Sequence, residues 1–295
     1  MKLAFKVDVD TLEGTSVGVE NLSRLFIKHN VPATFLFSLG KDQMGRSIFR
    51  IFEKGFLKKC LRSNVAGNYS LKTLLRGTIL PSPIIAEKCS YAMKAVSSCG
   101  FECGVHCLNH YKWQNFLDKM STEEIENEFN RACELFEKVF EFSAISCGSA
   151  GWQVANDYFR LQDNLKFLYA SDTRGYAPFY PRLNGEVFKT LQIPTTLFTL
   201  DELLVSNKLS DISQIQVSSI KNADVSVMTI HAELEGMAYL QWFEEFLLLL
   251  KRENIEFFGL KDFALSLQNT KTNIKVCDVE MCQFFNRSGL IAIQK

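Results

Sequence analysis

Leu3-Ala4-Phe5-Lys6-Val7 runs straight into Asp8-Val9-Asp10, an apolar strand that ends on two carboxylates one residue apart. A short apolar run of this kind fits a strand buried on both faces, as strands of a parallel sheet are. The period then changes. Val19, Leu22, Leu25 and Phe26 share one face of a helix over 19–28, and 33–39 is a second strand, rich in β-branched and aromatic residues. A third strand covers 102–106. Ser121-Thr122-Glu123-Glu124 has the spacing of a capping box and opens a helix to about Phe140. Further strands are expected at 144–147, 167–170, 191–193, 225–230 and 255–258, the last preceded by a helix over about 237–251. This alternation implies a parallel sheet with helices outside it, and seven or so units favour an α/β barrel over an open sheet. Two regions break the rhythm: an insertion over about 45–85 and a tail from 269 to 295, for which no structure is evident.

Composition narrows the function. With 295 residues, 47% of them apolar, the chain can bury a core that offsets its conformational entropy, so disorder is excluded. Its 33 basic residues balance 33 acidic ones, which argues against a nucleic-acid binder. The nine cysteines are an odd number and read as reduced thiols of a cytosolic protein. Asp8 comes too early for a signal peptide. No stretch approaches 18 uncharged apolar residues, so the expectation is a soluble protein, or one lying on the cytoplasmic side of a membrane.

Only four histidines occur. His29 sits near a helix end, whereas His106, His110 and His231 stand at or just beyond strand ends, where parallel α/β folds gather their active sites. Asp8 and Asp10 lie on the same side just past the first strand. His106 and His110 are spaced so that both rings meet one ion if the chain turns helically between them. Two imidazoles and a carboxylate are a common set for a catalytic divalent ion. A second carboxylate beside it would serve as general base, and a further group across the site as general acid. This points to a metallohydrolase.

Longer blocks carry a resemblance. Lys6-Val7-Asp8-Val9-Asp10-Thr11, Phe37-Ser38-Leu39-Gly40, Gln43-Met44-Gly45-Arg46 and Leu61-Arg62-Ser63-Asn64 come first. They are followed by His106, His110 and Trp113, then by Ser149-Ala150-Gly151-Trp152 and Ser171-Asp172-Thr173-Arg174-Gly175. Gln192-Ile193-Pro194 and Thr229-Ile230-His231-Ala232-Glu233-Leu234-Glu235-Gly236 complete the set. In this order, over about residues 3 to 266, the chain resembles the ArnD-type deformylases of 4-deoxy-4-formamido-L-arabinose phosphoundecaprenol, a branch of the NodB-homology polysaccharide deacetylases. The resemblance implies a distorted (β/α) barrel of about seven parallel strands, with residues 1–268 as the deacetylase domain. It implies one divalent metal ion (zinc, manganese, cobalt or similar) held by Asp10, His106 and His110. Asp8 would take a proton from water, and His231 would protonate the departing amine. Asp172 and Arg174 match a motif that tunes acid and base in related deacetylases, and Glu235 and Trp152 join them as tuning or substrate-contacting residues.

The resemblance also implies a partner and a place: an undecaprenyl-phosphate amino sugar at the cytoplasmic face of the inner membrane. The product would be a free-amine sugar for lipid A modification and resistance to cationic antimicrobial peptides. The segment Cys107-Leu108-Asn109 departs from the family pattern between its two histidines, leaving the acyl group and sugar open. An N-acetylated hexosamine on the same carrier is one alternative. A deacetylase of soluble or polymeric saccharides is another, and a non-catalytic membrane protein retaining the fold a third. The insertion interleaves Phe49, Phe52 and Phe56 with Arg50, Lys54, Lys58 and Lys59, a composition suited to a membrane-facing segment or to an ordinary surface helix. Trp113 and Trp152 either stack on sugar or fill the core.

Overall fold

In the computed structural model, which describes residues 1–46, 73, 75–270, 273–287 and 289–295, the expected first strand is the axis of the molecule. It is β1 (Lys2–Val9), buried throughout except at Lys2. The strands continue as β2 (Ala33–Ser38), β3 (Glu102–Cys107), β4 (Ser146–Cys147), β5 (Tyr169–Ala170), β6 (Tyr180–Leu183) and β7 (Glu186–Val187). After these come β8 (Leu191–Gln192), β9 (Val225–His231), β10 (Glu256–Phe257), β11 (Val276–Gln283) and β12 (Leu290–Gln294). Eight of them make one parallel sheet in the order β9-β1-β2-β3-β4-β5-β8, with β10 paired to the first residues of β1. Each expected strand has a member in this sheet. Several are short ladders, yet pairing continues irregularly beyond them: Leu168 N donates to Ile145 O and Ile193 N to Ala170 O. Past β8, Thr196 N donates to Val227 O of β9 (3.0 Å), drawing the two ends of the sheet together as a distorted barrel.

Helices cover the outside. They are α1 (Val19–His29), α2 (Ile85–Lys88), α3 (Ser90–Ser98), α4 (His110–Phe116) and α5 (Thr122–Phe140). The later ones are α6 (Asn156–Leu165), α7 (Leu200–Leu204), α8 (Leu209–Lys221), α9 (Leu240–Arg252) and α10 (Leu260–Asn269). The periodic face of α1 is the buried one: Val19, Leu22, Leu25 and Phe26 are all in the core. Phe26 lies 5.6 Å from Phe5 and 5.8 Å edge-on to Phe243 of α9, so one aromatic cluster joins sheet and helices. The capping box at Ser121 is present, with Ser121 and Glu124 each accepting the other's backbone N–H.

The ends of the insertion meet at one rim. Arg46 Nε donates to Gly77 O (3.2 Å), Lys41 pairs with Ile84, and buried Asp42 accepts from Leu12 N. Phe49, Phe52 and Phe56 lie outside the described residues. The tail, by contrast, has a definite structure. β11 and β12 form an antiparallel hairpin, and β11 runs parallel to β6, giving a second sheet in the order β12-β11-β6-β7. Among the described residues, no helix is long and apolar enough to cross a membrane.

Candidate active site

The parallel sheet decides where the chemistry can collect. Strands running the same way bring their carboxyl ends to one face, and β1 and β9 pair with Asp8 opposite His231. Asp10 follows one residue beyond β1. His106 stands at the end of β3 and His110 opens α4. His106 Nε2 is 3.3 Å from Asp10 Oδ1, His110 Nε2 is 3.4 Å from Asp10 Oδ2, and one ligand atom from each of the three lies within 4.8 Å of the others. The expected triad therefore assembles.

The two histidines meet by a different route from the helical turn their spacing allowed. Asn109 between them is extended, and its side chain accepts from Lys112 N as the N-cap of α4. The strand ends, the cap turns the chain, and His110 becomes the first helical residue. Asn109 Nδ2 also donates to Gln43 Oε1 (2.9 Å), and Cys107 is buried beside Ser38. Asn109 and Cys107, which depart from the family pattern, thus serve the turn and the core.

A divalent ion fits this donor set. Asp8 Oδ1 and Asp10 Oδ1 are buried without an aligned hydrogen bond to any described residue, a costly state that a cation would relieve. His106 Nδ1 lies 2.6 Å from Gly148 O, so it donates there and turns the Nε2 lone pair toward Asp10. Burial keeps His110 below the ordinary histidine pKa, hence neutral as a ligand must be. Burial would raise Asp10, but His110, His106 and His231 together hold it well below the usual carboxylate range. Burial alone would lower His106, yet Asp8 and Asp10 raise it, so the pocket favours positive charge at that spot.

Several supporting residues escaped the sequence reading. Glu233 Oε1 accepts from Asp10 N (3.0 Å), Thr11 N (2.8 Å) and Thr11 Oγ1 (2.8 Å), fixing the turn that aims Asp10. Gly14 makes room for it, since a Cβ there would come within 1.9 Å of Glu233 Oε1. Burial pushes the Glu233 carboxyl up to about 8, with Asp10 adding to the rise. Lys6, fully buried, donates to Ser171 O (3.0 Å) and lies 3.6 Å from Asp8 Oδ2, giving Asp8 a countercharge. Its one signal was a lysine inside an apolar strand.

His231 Nδ1 has no hydrogen-bond partner among the described residues, while its backbone N–H is held by Glu235 Oε2 (2.9 Å). Burial would lower its pKa, but Asp201, Asp10, Glu235 and Asp8 outweigh it and hold the imidazole above the ordinary histidine value. Burial lifts Glu235 itself to about 7.

Asp172 and Arg174 are buried in two separate clusters. Asp172 accepts from Ser149 N, Tyr158 OH, Gln162 Nε2 and Gln192 Nε2, which together anchor the loop carrying Trp152. Arg174 pairs with Glu202 (3.2 Å). Trp152 has φ of 54° directly after Gly151 at 63°, a left-handed conformation that a bulky residue holds only under strong constraint. The constraint is cationic: Arg174 lies 5.1 Å from its ring, Arg287 4.1 Å and Lys6 5.5 Å. Trp113 takes the core option, packed edge-on 4.9 Å from Tyr158 with its Nε1 donating to Gln153 O.

Comparison with known proteins places this geometry among relatives. The chain is 38% identical over 260 residues to the probable 4-deoxy-4-formamido-L-arabinose-phosphoundecaprenol deformylase ArnD of Shewanella sediminis (strain HAW-EB3), covering 87% of this chain and 83% of that one. It is 34% identical over 286 residues to the protein of the same name from Wigglesworthia glossinidia brevipalpis, covering 96% and 98%. Among solved structures it matches a protein from Mycobacterium smegmatis assigned as a polysaccharide deacetylase, with a TM-score of 0.63 at 14% identity over 92% of each chain. No family model matches.

Proposed function

The chain belongs to the ArnD family of deformylases, and from that premise we propose that it is a metal-dependent N-deacylase of an amino sugar carried on undecaprenyl phosphate. The observation that carries this reading is the Asp10, His106 and His110 cluster, with Asp8 and His231 beside it on paired strands. Asp10, His106 and His110 would hold the ion, which when bound polarises an amide carbonyl and acidifies a water.

The chain's own residues supply the proton movements. Asp8, its Oδ1 without a hydrogen bond to any described residue and Lys6 beside its Oδ2, takes a proton from the attacking water. The C–N bond breaks only if the nitrogen leaves as a neutral amine, so it must be protonated as it departs. His231, whose pKa the surrounding carboxylates raise against the effect of burial, donates that proton. Formate and a free-amine sugar are the products when the acyl group is formyl. The amine would carry positive charge into lipid A, the basis for a role in resistance to cationic peptides.

Membrane contact belongs to the same proposal. The substrate's chain stays in the bilayer, and both ends of the insertion emerge at the rim where β2 ends, beside the site. The test is mass spectrometry of undecaprenyl-phosphate amino sugars, formylated and acetylated, incubated with purified protein and metal. Loss of about 28 mass units from the formamido sugar is expected, because hydrolysis adds one water across the amide and releases formic acid. Both sugars returning unchanged with metal bound would overturn the assignment.

A further inference from the structure

The tail brings one charged side chain to the site. Arg287, just before β12, stacks on Trp152 and donates from Nε to Glu202 Oε1 (2.7 Å), with Asp201 3.8 Å from Nη2. Nε is its one nitrogen hydrogen-bonded to a described residue, which leaves the paired Nη donors for a ligand. Arg287 borders a groove of about 320 Å³ between the hairpin and α4, together with Gln114, Asn115, Gly151 and Gln153, and with Asp118 as its one carboxylate. That volume is in the range of small-molecule sites, roughly 300–1,000 Å³. Gln114 is four residues after His110 on α4, so the groove lies one helical turn, about 6 Å, along from the triad.

The hairpin is held against this groove. Gln153 Nε2 donates to Leu290 O (2.7 Å), Arg174 N to Ala292 O (2.9 Å) and Gln294 N to Arg174 O (2.8 Å). Amide side chains along the walls suit sugar hydroxyls, and a guanidinium with its planar fork open suits a phosphate, which it can grip through two parallel hydrogen bonds. We propose that this groove binds the phosphate joining sugar to carrier, with Arg287 supplying the charge, so that the C-terminal hairpin is a wall of the active site. This rests on the reading of the chain as a hydrolase of carrier-phosphate sugars.

Binding and catalysis test it separately. A short-chain prenyl phosphate without sugar or amide, titrated into the metal-loaded protein by calorimetry, should bind, and Arg287→Gln should weaken it about tenfold or more, with Arg287→Lys between. With soluble substrates, Arg287→Gln should raise KM for a phosphate-bearing formamido sugar far more than it lowers kcat. Preference for that substrate over its unphosphorylated counterpart should fall about tenfold. Equal loss on both substrates would make Arg287 a structural member of the Glu202 cluster and overturn the subsite. So would a wild-type protein that does not bind the prenyl phosphate. Inorganic phosphate binding as tightly as the prenyl compound would overturn the assignment to the carrier. Prenyl phosphate bound by a protein that hydrolyses neither substrate would leave the subsite standing and sink the proposed activity instead.

Discussion

The two ends of the barrel both carry buried or half-buried carboxylates, and they treat them in opposite ways. Glu102 begins β3 and His106 stands four residues on, about 13 Å away along the strand. Glu102 accepts from Thr34 Oγ1, Ser146 Oγ, Tyr169 OH and Lys261 N, so both of its oxygens are satisfied. At the other end, Asp8 and Asp10 each keep an oxygen with no aligned bond to a described residue, and His231 Nδ1 has no partner among the described residues either. A saturated carboxylate ties strands together. One left open in a buried place is held for something that arrives later.

Removing a ligand should break the open end most completely. His106→Ala or His110→Ala is expected to reduce bound metal to background by elemental analysis and to abolish turnover, since three ligands cannot become two without losing the ion. Full metal occupancy in either variant would remove that histidine from the set. Asp8→Asn keeps the volume and the ligands, so metal should stay while turnover falls about 10²- to 10⁴-fold. A metal-free Asp8→Asn protein would mean that Asp8 is a ligand.

The next effect is on pH dependence. His231 must hold a proton to act as acid, and its raised pKa keeps that proton beyond the ordinary histidine range. Turnover should therefore fall only as pH rises through this raised value. Asp201→Asn removes the first of the carboxylates that raise it, so the alkaline limb should move to lower pH with metal content unchanged. A limb that stays in place in that variant and in His231→Ala would assign the acid role elsewhere. At the closed end, Glu102→Gln puts an amide donor among hydroxyl and N–H donors, at a stability cost of about 1–3 kcal/mol. Thermal unfolding should register it, and turnover below the transition should not change. The opposite outcome, lost turnover at unchanged Tm, would erase the contrast between the two ends.

Much of the open end was legible in the amino-acid order, because its residues sit where periodic segments stop. Asp8, Asp10, His106 and His231 each follow or end a strand, and parallel strands have no choice but to share a face for those ends. The spacing of His106 and His110 allowed them to meet through a helical turn, but Asn109 caps the helix instead of joining it, and the two rings come together by another path. The supporting residues had no such local mark. Glu233 bonds to Asp10 across 223 positions and Lys6 to Ser171 across 165, and pairs that distant leave no period to read.

The order of residues by itself determined the eight strands of the parallel sheet and the helices α1, α5 and α9, since alternation and helical spacing are local and burial of an apolar face follows from them. It also determined the five groups at the strand ends. Only the tertiary structure decided what surrounds them. Glu202 lies on a short helix and Arg287 in a tail with no recognisable pattern, and they meet over Trp152 because the hairpin of β11 and β12 docks on the loop after β5. Charges that far apart in the chain gain their partners only when the sheet has closed around them, and the energy of that meeting depends on burial that no single segment possesses.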